Sequence, residues 1–242
     1  MSQPRQQAPP SFKAVLFDLD GTLFSSLTDL GEAMNAVLAN LGFPPHPIAA
    51  YRYFVGDGMK KLVTRSLPAK AANDPGIVEA CLIQMKSEYG QRWDCYSKLY
   101  PGIPELLGQL QDRKMQLCIL SNKPADLTEA IHNRFLSKWP FALVRGATEQ
   151  IPLKPDPTGA LEIAVELKIA PEAFLYLGDT AVDMLTANSA GMCAIGCLWG
   201  FREAAELRES GARILLNHPT ELLDFLESPS DIQTSKKADP AG

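Results

Sequence analysis

The stretch Lys13-Ala-Val-Leu-Phe-Asp-Leu-Asp-Gly-Thr-Leu23 decides how the chain is read, because an apolar run breaks off at two aspartates one residue apart and then at a glycine. Ala14 to Phe17 is short, apolar and partly β-branched or aromatic, as in a central strand buried on both faces; periodicity alone does not separate it from a buried helix segment. Gly21 marks a turn. In an extended backbone side chains alternate with a period of two, so Asp18 and Asp20 point the same way and their carboxylates converge. Like charges that close need a cation or a proton.

Two blander readings compete. Asp and Gly after a strand are ordinary turn formers. A calcium loop needs a further oxygen-bearing position before its glycine and a closing glutamate, and this stretch has neither. What lifts the motif above a turn is that other segments supply its missing partners.

With 242 residues, 46% hydrophobic and 21% charged, the chain can bury one core, or one core and a smaller accessory domain. A formal net charge of −5 and the lack of a long basic run leave no electrostatic footprint for nucleic acid or an anionic membrane. The N-terminal MSQPRQQAPPS has no apolar signal core, and nowhere do ~18 apolar residues run together. The expectation is a soluble, cytoplasmic protein. Five cysteines without a CxxC pair argue against a disulfide framework and a zinc site. Cys193 and Cys197, placed on one strand, would lie too far apart to bridge and read as buried thiols. His46, His132 and His218 lie far from every motif and read as structural or surface residues.

Along the chain, Ser25 to Leu41 has apolar residues at helical spacing and ends at Gly42, Pro44, Pro45 and Pro47. From there to about Tyr96 short helical patterns are separated by Gly56-Asp57-Gly58, Pro68 and Asp74-Pro75-Gly76, which is too long for a simple strand-to-helix connection. A small all-helical second domain over 25–96 is expected. Further apolar runs follow at Met115–Leu120, Phe141–Val144, Phe174–Leu177, Cys193–Cys197 and Arg213–Leu216, with helical patterns between them at Ile103–Gln111, Ala125–Phe135 and Thr158–Leu167. This alternation predicts an α/β fold, a Rossmann-like, doubly wound parallel sheet over 12–24 and 97–227. Ligands bind outside the carboxyl ends of such strands, where Asp18, Ser121, Lys154 and Asp179 would all gather. The polar segments 1–11 and 228–242 are expected to be disordered tails.

Taken together, Asp18-Leu-Asp-Gly-Thr22, Ser121-Asn122, Lys154 and Gly178-Asp-Thr-Ala-Val-Asp183 resemble the four motifs of the haloacid dehalogenase-like phosphohydrolases, in order, from about Lys13 to Leu226. The helical insertion resembles that family's helical cap. Tyr100-Pro-Gly102, Ser121-Asn-Lys-Pro124 and Lys154-Pro-Asp-Pro157 look most like phosphoglycolate phosphatases.

The resemblance implies Asp18 as nucleophile, forming an aspartyl-phosphate, and Asp20 as the acid that protonates the leaving alcohol and the base that activates water. It implies a metal held by the Asp18 and Asp179 carboxylates and the Asp20 carbonyl, and hard oxygen ligands select Mg2+. Asp183 takes an outer role, on metal-bound water or on Lys154. Ser121, the N–H groups of Asn122 and Gly21, and neighbouring Thr22 would receive the phosphate, with Lys154 as a fixed cation beside it. In the cap, Gly56-Asp57-Gly58 resembles a substrate-facing loop, and Lys61 or Arg65 on the following helix would read the substrate. The implied partner is a small phosphorylated metabolite, 2-phosphoglycolate foremost, with no nucleic acid or membrane; monomer and homodimer both stay open. A phosphosugar mutase, pyrophosphatase or nucleotidase would use the same core, and a catalytically silent binding protein the same fold.

Overall fold

Strand β1, Ala14–Phe17, lies at the centre of the fold, and all four of its residues are buried. The computed structural model describes residues 11–227, so the expected tails fall outside the described residues except for Ser11. After β1 the chain turns through Gly21 into the two-residue strand β2, Phe24–Ser25, and then into α1, Leu27–Asn40. A 3-10 turn at Ile48–Tyr53 leads to α2, Met59–Ser66, α3, Ala69–Ala72, and α4, Pro75–Arg92. Helix α4 starts where the sequence directs it: Pro75 follows the Asp74 cap, whose carboxylate accepts from the N–H groups of Gly76 and Ile77.

The chain returns through β3, Lys98–Leu99, to α5, Ile103–Asp112, and then alternates: β4, Gln116–Pro124; α6, Ala125–Ile131; β5, Phe141–Ala147; α7, Thr158–Leu167; β6, Phe174–Gly178; α8, Ala181–Ser189; β7, Cys193–Cys197; α9, Ala204–Glu209; β8, Ile214–Leu216; α10, Glu221–Glu227. Six strands form one parallel sheet in the order β5-β4-β1-β6-β7-β8. Its two sides are packed by alternate residues of the same strands. Val15, Phe17, Leu117 and Ile119 pack with α5 and α10, while Ala14, Leu16, Cys118 and Leu120 pack with α7 and α8. The sheet is doubly wound, and strand order reverses between β1 and β6, which is where a ligand crevice opens in such folds.

The insertion has its own apolar centre of Met34, Leu38, Tyr51, Val63, Cys81, Met85 and Tyr89. Burying each such side chain contributes roughly 1.5–3 kcal/mol, and Phe201, from the segment after β7, joins this core. Between the two bodies runs an antiparallel ribbon, Phe24 against Leu99 and Ser25 against Lys98. The sequence reading has no strands here because two-residue strands carry no periodicity. The return is also fixed by Asp29, a buried carboxylate in the first turn of α1 that accepts from the N–H groups of Tyr96 and Ser97 and from the Ser97 hydroxyl.

Two further differences from the sequence reading have local causes. Helix α6 ends at Ile131 and continues as a π-helical turn over His132–Leu136. Strand β4 runs on through Ser121-Asn-Lys-Pro124 because its pairing with β5 resumes at Pro124 and Ala147 after a slip in register. All five cysteines are free, and Cys193 and Cys197 are buried. No helix among the described residues is long and apolar enough to cross a membrane.

Candidate active site

The ends of β1 and β6 bring three carboxylates into one volume. The Asp18 N–H donates to the Leu177 carbonyl at 2.9 Å, which extends the pairing of these strands by one residue. Asp179 follows β6, and Asp183 lies in the first turn of α8, where its Oδ2 accepts from the Thr180 N–H at 3.1 Å and hydroxyl at 2.7 Å in a capping box. Oxygens of Asp18, Asp179 and Asp183 lie within 4.8 Å of one another, and all three residues are buried. One ammonium stands among them: Lys154 Nζ donates to Asp18 Oδ1 and Asp183 Oδ1, both at 2.7 Å, and to the Leu120 carbonyl at 3.0 Å.

The charges do not balance. Burial pushes the Asp18 carboxyl up to about 7, against the pull of Lys154, and Asp183 and Asp20 push it the same way as burial. Asp179 is raised well above the carboxylate range by burial and by its two acidic neighbours, with opposing bonds from the Phe201 N–H and the Thr22 hydroxyl. For Lys154, burial lowers the ammonium and the Asp18 and Asp183 charges more than offset it, so it stays protonated. Three buried carboxylates around one lysine fit a divalent cation with a preference for hard oxygen ligands. Asp18 and Asp179 would hold it, with Asp183 beside them.

Asp20 faces elsewhere, as its own set of partners shows. Its Oδ1 accepts from the Ser26 hydroxyl at 2.5 Å, and Lys123 Nζ donates to both oxygens at 3.0 and 2.9 Å. The third donor of Lys123 goes to the Tyr89 hydroxyl, at 2.8 Å, on cap helix α4. Burial lowers the Lys123 ammonium, while Asp20 and Tyr89 more than offset this and hold it above the ordinary lysine value. A cavity between sheet edge and cap is lined by Asp18, Asp20, Ser121, Asn122 and Lys123 below and by Leu30, Val55, Gly56, Gly58, Met59 and Leu62 above. The lower wall follows the register slip in β4 that turns Ser121 to Lys123 out of the regular ladder.

A family model described as haloacid dehalogenase-like hydrolase matches residues 15–197. The chain belongs to that family. It is similar to proteins named phosphoglycolate phosphatase from Chromobacterium violaceum, 31% identical over 218 residues covering 89% of this chain and 97% of the relative, and from Psychrobacter arcticus, 30% identical over 221 residues covering 88% and 94%. Its fold matches that of a haloacid dehalogenase-like family hydrolase from Streptococcus pneumoniae with a TM-score of 0.80, at 24% identity over 88% of this chain and 98% of that one.

Within this haloacid dehalogenase-like hydrolase, several residues expected to meet substrate have other partners. The Gly21 N–H donates to the Phe24 carbonyl within the turn, so it is not free for phosphate. Gly21 has a φ of +91°, and a Cβ there would run into Asp179 Oδ2, so glycine is required both by the turn and by the acidic cluster packed against it. Thr22 is fully buried with its hydroxyl on Asp179 at 3.2 Å, and it orients that carboxylate. Asn122 braces the site: Oδ1 accepts from the Lys154 N–H, and Nδ2 donates to the Lys154 carbonyl and to the Gly56 carbonyl of the cap. The Ser121 hydroxyl lines the cavity and accepts from the Lys123 N–H at 3.2 Å. Among the described residues the N–H groups of Leu19 and Asp20, beside Asp18, meet no protein acceptor.

In the cap, Gly56 and Gly58 reach the cavity while Asp57, Lys61 and Arg65 do not line it. Arg65 is turned outward into an ion pair with Asp57, its side chain 36% exposed, and Lys61 is exposed. The cause is the amphipathic face of α2, which directs Leu62 and Val63 inward and leaves the cations on the outer side. Sequence reasoning missed Lys123, Tyr89 and Ser26. Lys123 stands inside the Ser121-Asn-Lys-Pro124 motif, but its partner Tyr89 is 34 residues away on another body.

Proposed function

We propose that this hydrolase is a magnesium-dependent phosphatase that cleaves a small acidic phosphate monoester, 2-phosphoglycolate foremost, through an aspartyl-phosphate on Asp18. The observation that carries the reading is the division of labour between two carboxylates lining one cavity. Asp18 lies in the acidic cluster with Lys154, and Asp20 lies apart with Ser26 and Lys123.

An Asp18 oxygen attacks phosphorus as the ester O–P bond breaks, and Asp20 delivers a proton to the departing alkoxide to give the alcohol. Water then attacks the phosphoryl group, Asp20 takes its proton, and the bond to Asp18 breaks to release inorganic phosphate. Lys154 fixes the Asp18 carboxylate and supplies positive charge where the phosphoryl group is held. Ser121 and Asp20 line the cavity, and the Ser121 hydroxyl and the Asp20 N–H would receive its oxygens. Bound Mg2+ would neutralise charge on carboxylates and phosphate together. Asp20 favours phosphoester chemistry over halide displacement, since a halide leaves without a proton. The named relatives support 2-phosphoglycolate. Five free thiols, four of them buried, fit a reducing compartment such as the cytoplasm.

The test is phosphate release with Mg2+ from 2-phosphoglycolate, ethyl phosphate, a hexose phosphate, a nucleoside monophosphate and pyrophosphate. The highest kcat/KM is expected for 2-phosphoglycolate. A preference for the sugar phosphate, the nucleotide or pyrophosphate would overturn the substrate, and release from none of them would overturn the phosphatase.

A further inference from the structure

A small acidic ester brings two anionic groups into the cavity, and the acidic cluster with Lys154 accounts for one. The cap wall offers the side chains of Leu30, Val55, Met59 and Leu62, none of which can pair a carboxylate, and the backbone of Gly56 and Gly58, which brings no cation. Burying a carboxylate there without a cation would cost several kcal/mol. Lys154 is committed, its three donors spent on Asp18, Asp183 and Leu120. Arg65 is paired with Asp57 outside the cavity. Lys123 is the cationic side chain that lines it.

We propose that Lys123 is the residue that reads the acid group of the substrate, its ammonium binding the carboxylate while Tyr89 of the cap holds it in place. This rests on the reading that the substrate is a small acidic phosphate monoester. The donor count permits it. Two of the three N–H groups of Lys123 go to the two oxygens of a single partner, Asp20, and the third to Tyr89. Yielding one of the pair to a substrate carboxylate leaves Asp20 with the other and with the Ser26 hydroxyl, so no group is orphaned. Position agrees with the count. Asp20 must reach the leaving ester oxygen, and in 2-phosphoglycolate one methylene separates that oxygen from the carboxylate, so a cation bonded to Asp20 lies where the acid group arrives. The Lys123 side chain is only 3% exposed, and an ion pair made there is screened little by solvent. Tyr89 reaches Lys123 from α4, with its ring centre 4.5 Å from Nζ, which makes the reader a joint product of cap and core.

The test measures binding by calorimetry, with Mg2+, in the Asp18→Asn background, where turnover does not interfere. Binding of 2-phosphoglycolate is compared with that of ethyl phosphate, which has the same phosphate but no carboxylate. With Lys123 present, 2-phosphoglycolate is expected to bind about 10- to 100-fold more tightly, the size of one charged hydrogen bond. Lys123→Met should abolish that preference, and Lys123→Arg should retain part of it. A preference that survives in Lys123→Met overturns the assignment and leaves the substrate reading standing. Equal binding of the two esters with Lys123 intact overturns the acidic-ester reading itself. If Lys123 only positioned Asp20, its loss would leave the affinity ratio unchanged here and, with Asp18 intact, slow both esters alike, which also overturns the assignment. Should Lys123→Met not fold, the crystal structure of Asp18→Asn with 2-phosphoglycolate decides: the carboxylate is expected within hydrogen-bond distance of Lys123 Nζ, and a carboxylate held elsewhere refutes it.

Discussion

Below the cavity, the sheet edge holds Asp18, Asp179, Asp183 and Lys154 buried and bonded to one another or to their neighbours, each at the end of a strand, in the loop after one or in the first turn of a helix. Above it, the cap presents apolar side chains from α1 and α2 and the backbone of Gly56 and Gly58, and it turns its charged Arg65 to solvent. The lower wall is built by topology: once β1 and β6 are neighbours in a parallel sheet, the residues at their carboxyl ends must meet. The upper wall is built by packing across a two-residue ribbon, and no rule of strand order governs which of its side chains faces in. The proposed function therefore assigns chemistry to the lower wall and choice of substrate to the junction of the two.

The sharpest way to break this division is to alter the lower wall and look for surviving turnover. Asp18→Asn should reduce phosphate release on the order of 10⁴- to 10⁶-fold for every ester tested, since removing a nucleophile leaves only binding and electrostatic effects. Near-native hydrolysis by this variant would remove Asp18 as nucleophile and with it the assignment of chemistry to the sheet edge.

Asp20→Asn sharpens the comparison because Asp20 faces the junction. A loss of ~10²- to 10⁴-fold is expected for ethyl phosphate and a much smaller one for p-nitrophenyl phosphate, whose phenolate leaves with little need of a proton. Equal losses with both esters would take Asp20 out of the acid role.

How much of each wall was legible in the sequence divides along the same line. The acidic cluster could be placed from residue order alone, because Asp18 and Asp179 each end an apolar run and a parallel sheet sends all such ends to one edge. A turn motif does not reveal its direction, so the sequence points Gly21 and Thr22 at substrate, while in the structure the chain folds back onto Asp179. Lys123 carries no role that its motif reveals, since a lysine gains a function only from the groups it meets, and Tyr89 belongs to a helix whose packing the sequence does not specify. The β2–β3 ribbon was invisible at two residues per strand. Charge and spacing point to Lys61 and Arg65, and the apolar face of α2 directs them outward.

The acidic cluster also makes a thermodynamic prediction. With Asp18 at about 7 against an ordinary 3.8, and Asp179 raised as well, the metal-free folded state keeps protons that the unfolded chain has already lost. Their contribution to stability is therefore present below the ordinary carboxylate value and is lost as pH rises through about 7. On the proposed reading Mg2+ would bind the ionised carboxylates, so its stabilisation should grow over the same window. At a hundredfold excess over Kd it amounts to roughly 2.7 kcal/mol, or roughly 5–10 °C in Tm for a chain of this size. Thermal melts with EDTA and with Mg2+ should show a larger shift at pH 8 than at pH 5, and a shift as large at pH 5 would contradict the cluster's burden of charge.

The smallest effect is expected on the outer side of the cap. Arg65 and Asp57 form an ion pair whose side chains are 36% and 27% exposed, and Arg65 also donates to the Phe54 carbonyl at 3.2 Å. A pair this wet contributes about 0.2–1 kcal/mol, because solvent screens the attraction and holding two side chains together costs entropy. Neither residue lines the cavity. If Arg65 read the carboxylate, as its charge and spacing first imply, Arg65→Ala would raise KM for 2-phosphoglycolate and spare p-nitrophenyl phosphate. From its position, Arg65→Ala should instead change kcat/KM by less than about threefold for both, the scale of so weak a pair, with a Tm shift of a few degrees at most. A selective tenfold rise in KM for 2-phosphoglycolate would mean that the cap turns Arg65 inward when substrate binds, and that the cap supplies a charge to recognition by itself. A flat result leaves the acid group to Lys123, at the seam where Tyr89 meets the sheet edge.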